Sequence, residues 1–194
     1  MRARSPPAAS RAHPVIFCKG THMPRTLHAT TLAIALGLAA LSGSAFASTA
    51  DKLAAAQAAT MDLSQAISAA QGQHGLKVVE AEIDLKKKQP VFEFKGINAQ
   101  NHEQKLKFSD KDAYQVIETK DKGAAAKKYT DRLAAAKIGI NDAIATALQH
   151  TPGKAVEVDL DDHLGVLSYD VKIIDANSKK VEVRVNAIDG TVKP

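Results

Sequence analysis

A single cysteine, Cys18, stands among the 194 residues of the chain, and it precedes the first apolar run. No disulfide can form within the chain, so stability must come from packing. Cys18 stands ahead of that run rather than at its end, which is not where a lipid-acceptor cysteine belongs. Long hydrophobic runs are also missing. The best stretch, Thr30 to Leu41, falls short of the roughly 20 apolar residues that span a bilayer. Excess basic charge is absent too, once its location is considered. The formal net charge is +5, but Arg2, Arg4, Arg11, Lys19 and Arg25 all lie in residues 1–47, which contain no acid. The remainder is neutral, so no basic footprint for nucleic acid is left. Catalytic signatures are scarce as well. No G-x-S-x-G occurs, and His74, His102, His150 and His163 show no helical or hairpin metal spacing.

What is present begins with a leader. Basic residues, then Thr30–Leu41, then small residues ending in Ala45-Phe46-Ala47, form a secretory signal peptide pattern. Cleavage is expected after Ala47, leaving Ser48 first. Met23 is a second possible start, with residues 1–22 an upstream extension. Residues 1–47 are thus expected to leave an exported part without a transmembrane segment.

That exported part repeats itself. Shifted by 77 residues, Met61–Ile117 lies on Ile138–Pro194 without a gap, with 11 of 57 positions identical. A fixed period of this kind implies two copies of one supersecondary unit. The expected units are 48–120 and 121–194, with a boundary in the polar stretch Lys120-Asp121-Lys122-Gly123. Each opens with an alanine-rich helix, Asp51–Ala56 and Asp131–Ala136, whose offset of 80 implies a three-residue insertion. A second helix follows in each, with Ser64 and Asn141 as N-cap candidates. Its apolar stripe is Leu63, Ala66, Ile67 and Ala70, matched by Ile140, Ala143, Ile144 and Ala147. Gly75 and Pro152-Gly153 end these helices.

Strands come next. Val79, Ala81, Ile83 and Leu85 alternate with charges, as do Val156, Val158 and Leu160. Phe92 and Phe94 match Tyr169 and Val171, and Leu106 and Phe108 match Val183 and Val185. A turn at Asp189-Gly190 leads to a short final edge. The expected fold is α+β, two tandem units each with a helix or helix pair on a three- to four-stranded antiparallel sheet, one face of it wet. On that face lie Glu80, Glu82 and Asp84, and then Glu157, Asp159 and Asp161, read as a solvated stripe that keeps the strands soluble. The first hairpin tip, Lys86-Lys87-Lys88, is basic; the second, His163-Leu164-Gly165, is nearly neutral.

This order resembles the PepSY family. The resemblance rests on Ile140–Ile144, Pro152-Gly153, Val156–Leu160, Leu167–Val171 and the ending Val183–Val192, which is similar to that family's strand–turn–strand "V-D-A-x-T-G-x-V". Asn186 stands where the family has Asp. The first unit matches more loosely, with Asp112-Ala113 in place of Asp189-Gly190. Its last hairpin is then either looser or replaced by a longer strand through Tyr114, Val116 and Ile117. The resemblance implies a non-enzymatic module of secreted or envelope bacterial proteins, with inhibition or local control of peptidases as its role.

The expected function is accordingly a periplasmic or secreted binding protein without catalytic, cofactor-binding or metal-binding residues. Its partner is a protein, a peptidase or another envelope protein, met by strand addition at Val181–Val185 or by loops at one end. The alternative is an envelope small-ligand or metal-binding sensor accessory, which calls for a cavity between helix and sheet.

Overall fold

The computed structural model describes residues 48–111 and 115–193. The leader, its cleavage site and Met23 lie outside them, as do Asp112, Ala113 and Tyr114. In chain order the elements are α1 (Thr49–Ala58), α2 (Leu63–His74), β1 (Lys77–Lys86), β2 (Gln89–Ile97), β3 (His102–Ser109) and β4 (Gln115–Ala124). The second half repeats them as α3 (Lys127–Ala135), α4 (Ile140–His150), β5 (Gly153–His163), β6 (Val166–Asp175), β7 (Lys180–Asn186) and β8 (Val192–Lys193). All eight strands form one antiparallel sheet in the order β4-β3-β2-β1-β5-β6-β7-β8. The fold is α+β, in two helix-plus-strands halves. Strand β4 runs through Lys120–Gly123, where the sequence suggested a boundary.

The halves join edge to edge through β1 and β5, where Glu80 faces Asp159, Ala81 faces Val158, and Glu82 faces Glu157. Residues 81 and 158 are equivalent under the 77-residue shift. A pseudo-twofold axis therefore passes through that pair. Strand β2 turns back on β1, and β6 on β5, through two-residue tips with positive φ at Lys87, Lys88, Leu164 and Gly165. That is the backbone of type I′ turns.

Period-two alternation divides the sheet into two faces. One carries Ala81, Ile83, Phe92, Phe94, Val158, Leu160 and Val171, all buried. Helices α2 and α4 cover it with the stripe expected from sequence: Leu63, Ala66, Ile67 and Ala70 beside Ile140, Ala143, Ile144 and Ala147. Their N-caps are Asp62 and Gly139 rather than Ser64 and Asn141. Asp62 is the better cap because its carboxylate accepts from the Gln65 N–H at 2.8 Å while the Gln65 side chain accepts from the Asp62 N–H. Asn141 instead reaches across to α2, donating to Ser68 Oγ at 2.9 Å.

The opposite face is only partly wet, its acidic stripe half-buried. Helix α1 lies over it with Lys52, Ala55 and Ala56 buried. Helix α3 lies over it with Tyr129, Arg132 and Leu133 half-buried. These stripes coincide at an offset of 77, and four residues separate each helix from the one after it. No insertion separates the copies. The repeated Asp-basic-Leu-Ala-Ala-Ala occupies the start of α1 and the end of α3, so its offset of 80 reflects alanine-rich composition rather than structural equivalence.

Packing between the copies is conserved by exchange. A Cβ on Gly96 would come within 2.8 Å of Leu76 Cγ, and one on Gly153 within 2.7 Å of Ile173 Cγ2. Leu76 corresponds to Gly153 and Gly96 to Ile173. Each half therefore places one large residue against one glycine, with the two roles swapped.

The loops that carry the chain from one face to the other are pinned differently. Buried Asp110 accepts from the Thr60 N–H at 2.9 Å and from the Thr60 hydroxyl at 3.0 Å. Its counterpart is Ala187, whose carbonyl accepts from the N–H groups of Lys137 and Ile138 at 2.8 and 3.2 Å. The Tyr169 hydroxyl adds a bond to the Ile138 carbonyl. Asp110→Ala is expected to cost about 1.5–3 kcal/mol, the net worth of hydrogen bonds to a charged group. Urea denaturation of the variant checks it.

Candidate functional site

The chemistry-bearing residues gather under α1 and α3, on the face the sequence suggested was solvated. The β1–β5 junction brings four carboxylates together in two like-charge pairs, which are destabilising unless compensated. The two pairs are compensated unequally.

At Glu82 and Glu157 the compensation is full. Lys52 Nζ donates to both, at 2.7 Å and 2.5 Å, and Lys172 Nζ donates to Glu157 at 2.5 Å. Burial opposes charge at Glu157, yet the bonds from Lys172 and Lys52 hold its carboxyl below the usual range. Burial likewise pushes Lys52 down, and the bonds to Glu157 and Glu82 outweigh it, so its ammonium is held above its ordinary value.

At Glu80 and Asp159 the symmetry breaks. The residue equivalent to Lys52 is Tyr129, which has no charge to give. Lys95 is 3.5 Å from Glu80, and its ammonium lies 4.5 Å from the Tyr129 ring centroid. Arg132 pairs with Asp161 and donates to the Leu160 carbonyl at 3.2 Å. The Asp159 carboxyl makes no hydrogen bond or ion pair among the described residues. Burial first, then the charges of Glu80 and Asp161, push its carboxyl up to about 6, and Lys95 and Arg132 offset only part of this.

The histidines do not converge. His74 ends α2 and packs on Phe108, with ring centroids 5.2 Å apart. His150 ends α4, favourable for a cation at a helix C-terminus. His102 contacts Asp121 at 2.9 Å across β3 and β4, and His163 lies 3.8 Å from Asp170. Among the described residues no group of three or more His, Cys, Asp or Glu is placed to hold a metal ion.

Two other surfaces stand out. Lys86 at the first tip folds back onto Asp84, leaving Lys87 and Lys88 exposed. At the second tip Leu164 is fully exposed, with Val166 and Ile188 also open to solvent. A cleft of about 360 Å3 lies where α1, α2, α4 and β5 meet, lined by Met61, Leu63, Ile83, Ile144, Leu148 and Lys154 among others.

The second half, with its helix α4, its three long strands and the turn at Asp189-Gly190, matches a known family. Residues 137–193 fit the model described as PepSY, peptidase propeptide and YPEB domain. This segment is a PepSY domain. Two solved structures are similar to the chain. The CD1622 protein of Clostridium difficile 630 has a TM-score of 0.43 and 20% identity, covering 70% of this chain and 94% of that one. The YpmB protein of Bacillus subtilis has a TM-score of 0.30 and 13% identity, covering 66% and 92%. No curated protein matches the sequence. The PepSY domain starts after α3, so α3 and Arg132 lie outside the matched segment while Glu157, Asp159 and Asp161 lie within it. No helix among the described residues is long and apolar enough to cross a membrane.

Sequence reasoning found the acidic stripe and missed what covers it. The missed residues are Lys52, Arg132 and Asp110. Lys52 shares a buried stripe with Ala55 and Ala56 at helical spacing, and a lysine on such a stripe signals a buried acidic partner.

Asp159 gives a test with a definite sign. Its folded pKa exceeds the ordinary value near 3.8, so the folded state binds the proton more tightly. Its contribution favours folding at low pH and is lost as pH rises through about 6. Asp159→Asn is expected to melt with the wild type at pH 4 and about 3 °C higher at pH 7. Melting curves across that range check it; a difference independent of pH contradicts it.

Proposed function

We propose that the chain is a non-enzymatic binding protein of the bacterial cell envelope whose PepSY half engages a protein partner, a peptidase, and restrains it. The observation that carries this reading is the PepSY match over residues 137–193, a family described by its place in peptidase propeptides. A propeptide acts through contact with the peptidase it accompanies, and the same fold supplied as a separate chain can make the same kind of contact. The envelope location is supported by the charged, apolar and A-x-A pattern of residues 1–47.

Crosslinking in the native envelope is expected to recover a peptidase, and added purified protein to slow its cleavage of a peptide substrate. Recovery of no peptidase, together with unchanged proteolysis, rejects the reading.

The cleft lined by Met61, Ile83 and Ile144 favours a second reading, binding of a small apolar ligand in the manner of a sensor accessory. It requires a rise in Tm with hydrophobic ligands, because selective binding to the folded state raises apparent stability. A flat response across such ligands removes it.

A further inference from the structure

The two ends of the sheet are finished differently. Strand β4 pairs with β3 along its length, from Ser109↔Gln115 to His102↔Ala124. Its counterpart β8 pairs with β7 only at Arg184↔Lys193 and Val185↔Val192. Beside Lys180–Val183 no strand lies among the described residues, although the equivalent lane beside β3 is filled.

The backbone of this lane is ready to pair. The Asn186 N–H donates outward to the Thr191 carbonyl at 2.8 Å, while the Ala187 N–H donates inward to Leu167 at 2.9 Å. Strand alternation then points the N–H and C=O of Glu182 and Lys180 outward as well. Both residues are exposed.

Natural sheets guard their edges with lysines and bulges. The β4 edge has these devices: Lys120 and Lys122, and two register shifts against β3. The β7 edge carries one such lysine, Lys180, but no bulge, keeping an unbroken register with β6 from Ser168↔Asn186 to Ile174↔Lys180. Its charges also differ from those of β3. Lys105 faces Lys120, a like pair, whereas the equivalent of Lys105 on β7 is Glu182. An incoming residue opposite Glu182 is best basic, and one opposite Lys180 best acidic.

We propose that the outer edge of β7 at Lys180–Glu182 is a strand-docking site. It takes one extended segment of a partner polypeptide, antiparallel to β7 in continuation of β8, with a basic residue opposite Glu182 and an acidic residue opposite Lys180. This rests on the protein-binding reading and names the contact by which it occurs. A peptidase captured through another surface would leave that reading standing while this site fails.

The test uses two synthetic peptides of one composition. Thr-Val-Lys-Val-Glu-Val-Thr places its charges in the favoured order when antiparallel; Thr-Val-Glu-Val-Lys-Val-Thr reverses them. Amide hydrogen exchange is followed in the full chain with millimolar peptide. The first peptide is expected to slow exchange at the Glu182 and Lys180 amides about tenfold and the second to do less. The exchange of charges in the double variant E182K/K180E, at two exposed positions, is expected to reverse that preference. Unchanged exchange with both peptides overturns the proposal, as does equal slowing by both. Protection that rises with protein concentration alone would assign the lane to a second copy. Protection at all concentrations without peptide would assign it to the chain itself. Either result overturns docking of a partner.

Discussion

One ammonium group lies at the centre of this structure. The halves meet along three residue pairs, and two of those pairs set carboxylate against carboxylate. Without a cation the junction would repel itself where the sheet must be continuous. Lys52 arrives from α1 and bonds both members of one pair, and its burial leaves little water to screen the attraction. The same contact fixes α1 across the junction, since its side chain bonds one residue of each half. The helix, the continuity of the sheet and the covering of the acidic face thus share one cause.

The second carboxylate pair shows the effect of divergence between the copies. Tyr129 occupies the position of Lys52 and offers a ring instead of a charge, so the neighbouring Lys95 is drawn to that ring as well as to Glu80. Arg132, a turn further along α3, is committed to Asp161 and a backbone carbonyl. Helix α3 buries none of its residues fully, whereas α1 buries three. Of the two helices over the acidic face, α3 buries less, held by half-buried Leu133 and by the polar contacts of Tyr129 and Arg132.

Much of this fold was legible in the sequence. The 77-residue period places each strand start of the second half within one residue of its counterpart's equivalent position. The stripes of α2 and α4 were legible because apolar spacing on a helix leaves few alternatives. The acidic stripe was legible as a stripe but not as a site, because alternation reports that two faces differ and not what lies on each. Charged residues on a strand read as wet until a helix carrying a cation is known to lie above them. The three residues that answer those charges or pin the loops, Lys52, Arg132 and Asp110, are far away in sequence from their partners. Ser64 and Asn141 are good caps in isolation, yet the helices start one residue after Asp62 and Gly139. Leu76 and Gly96 against Gly153 and Ile173 was visible in the self-alignment as two mismatches. Only the packing shows that they compensate each other.

The pairing of Ala81 with Val158 has a further consequence. Antiparallel contact between equivalent residues about a twofold axis is the geometry of an isologous dimer, the same patch meeting itself. In this chain the two patches belong to one polypeptide, so their meeting is intramolecular and independent of protein concentration. A homodimer must mutate both of its copies at once. The tethered pair is free of that symmetry, and one side carries a lysine at the seam where the other carries a tyrosine.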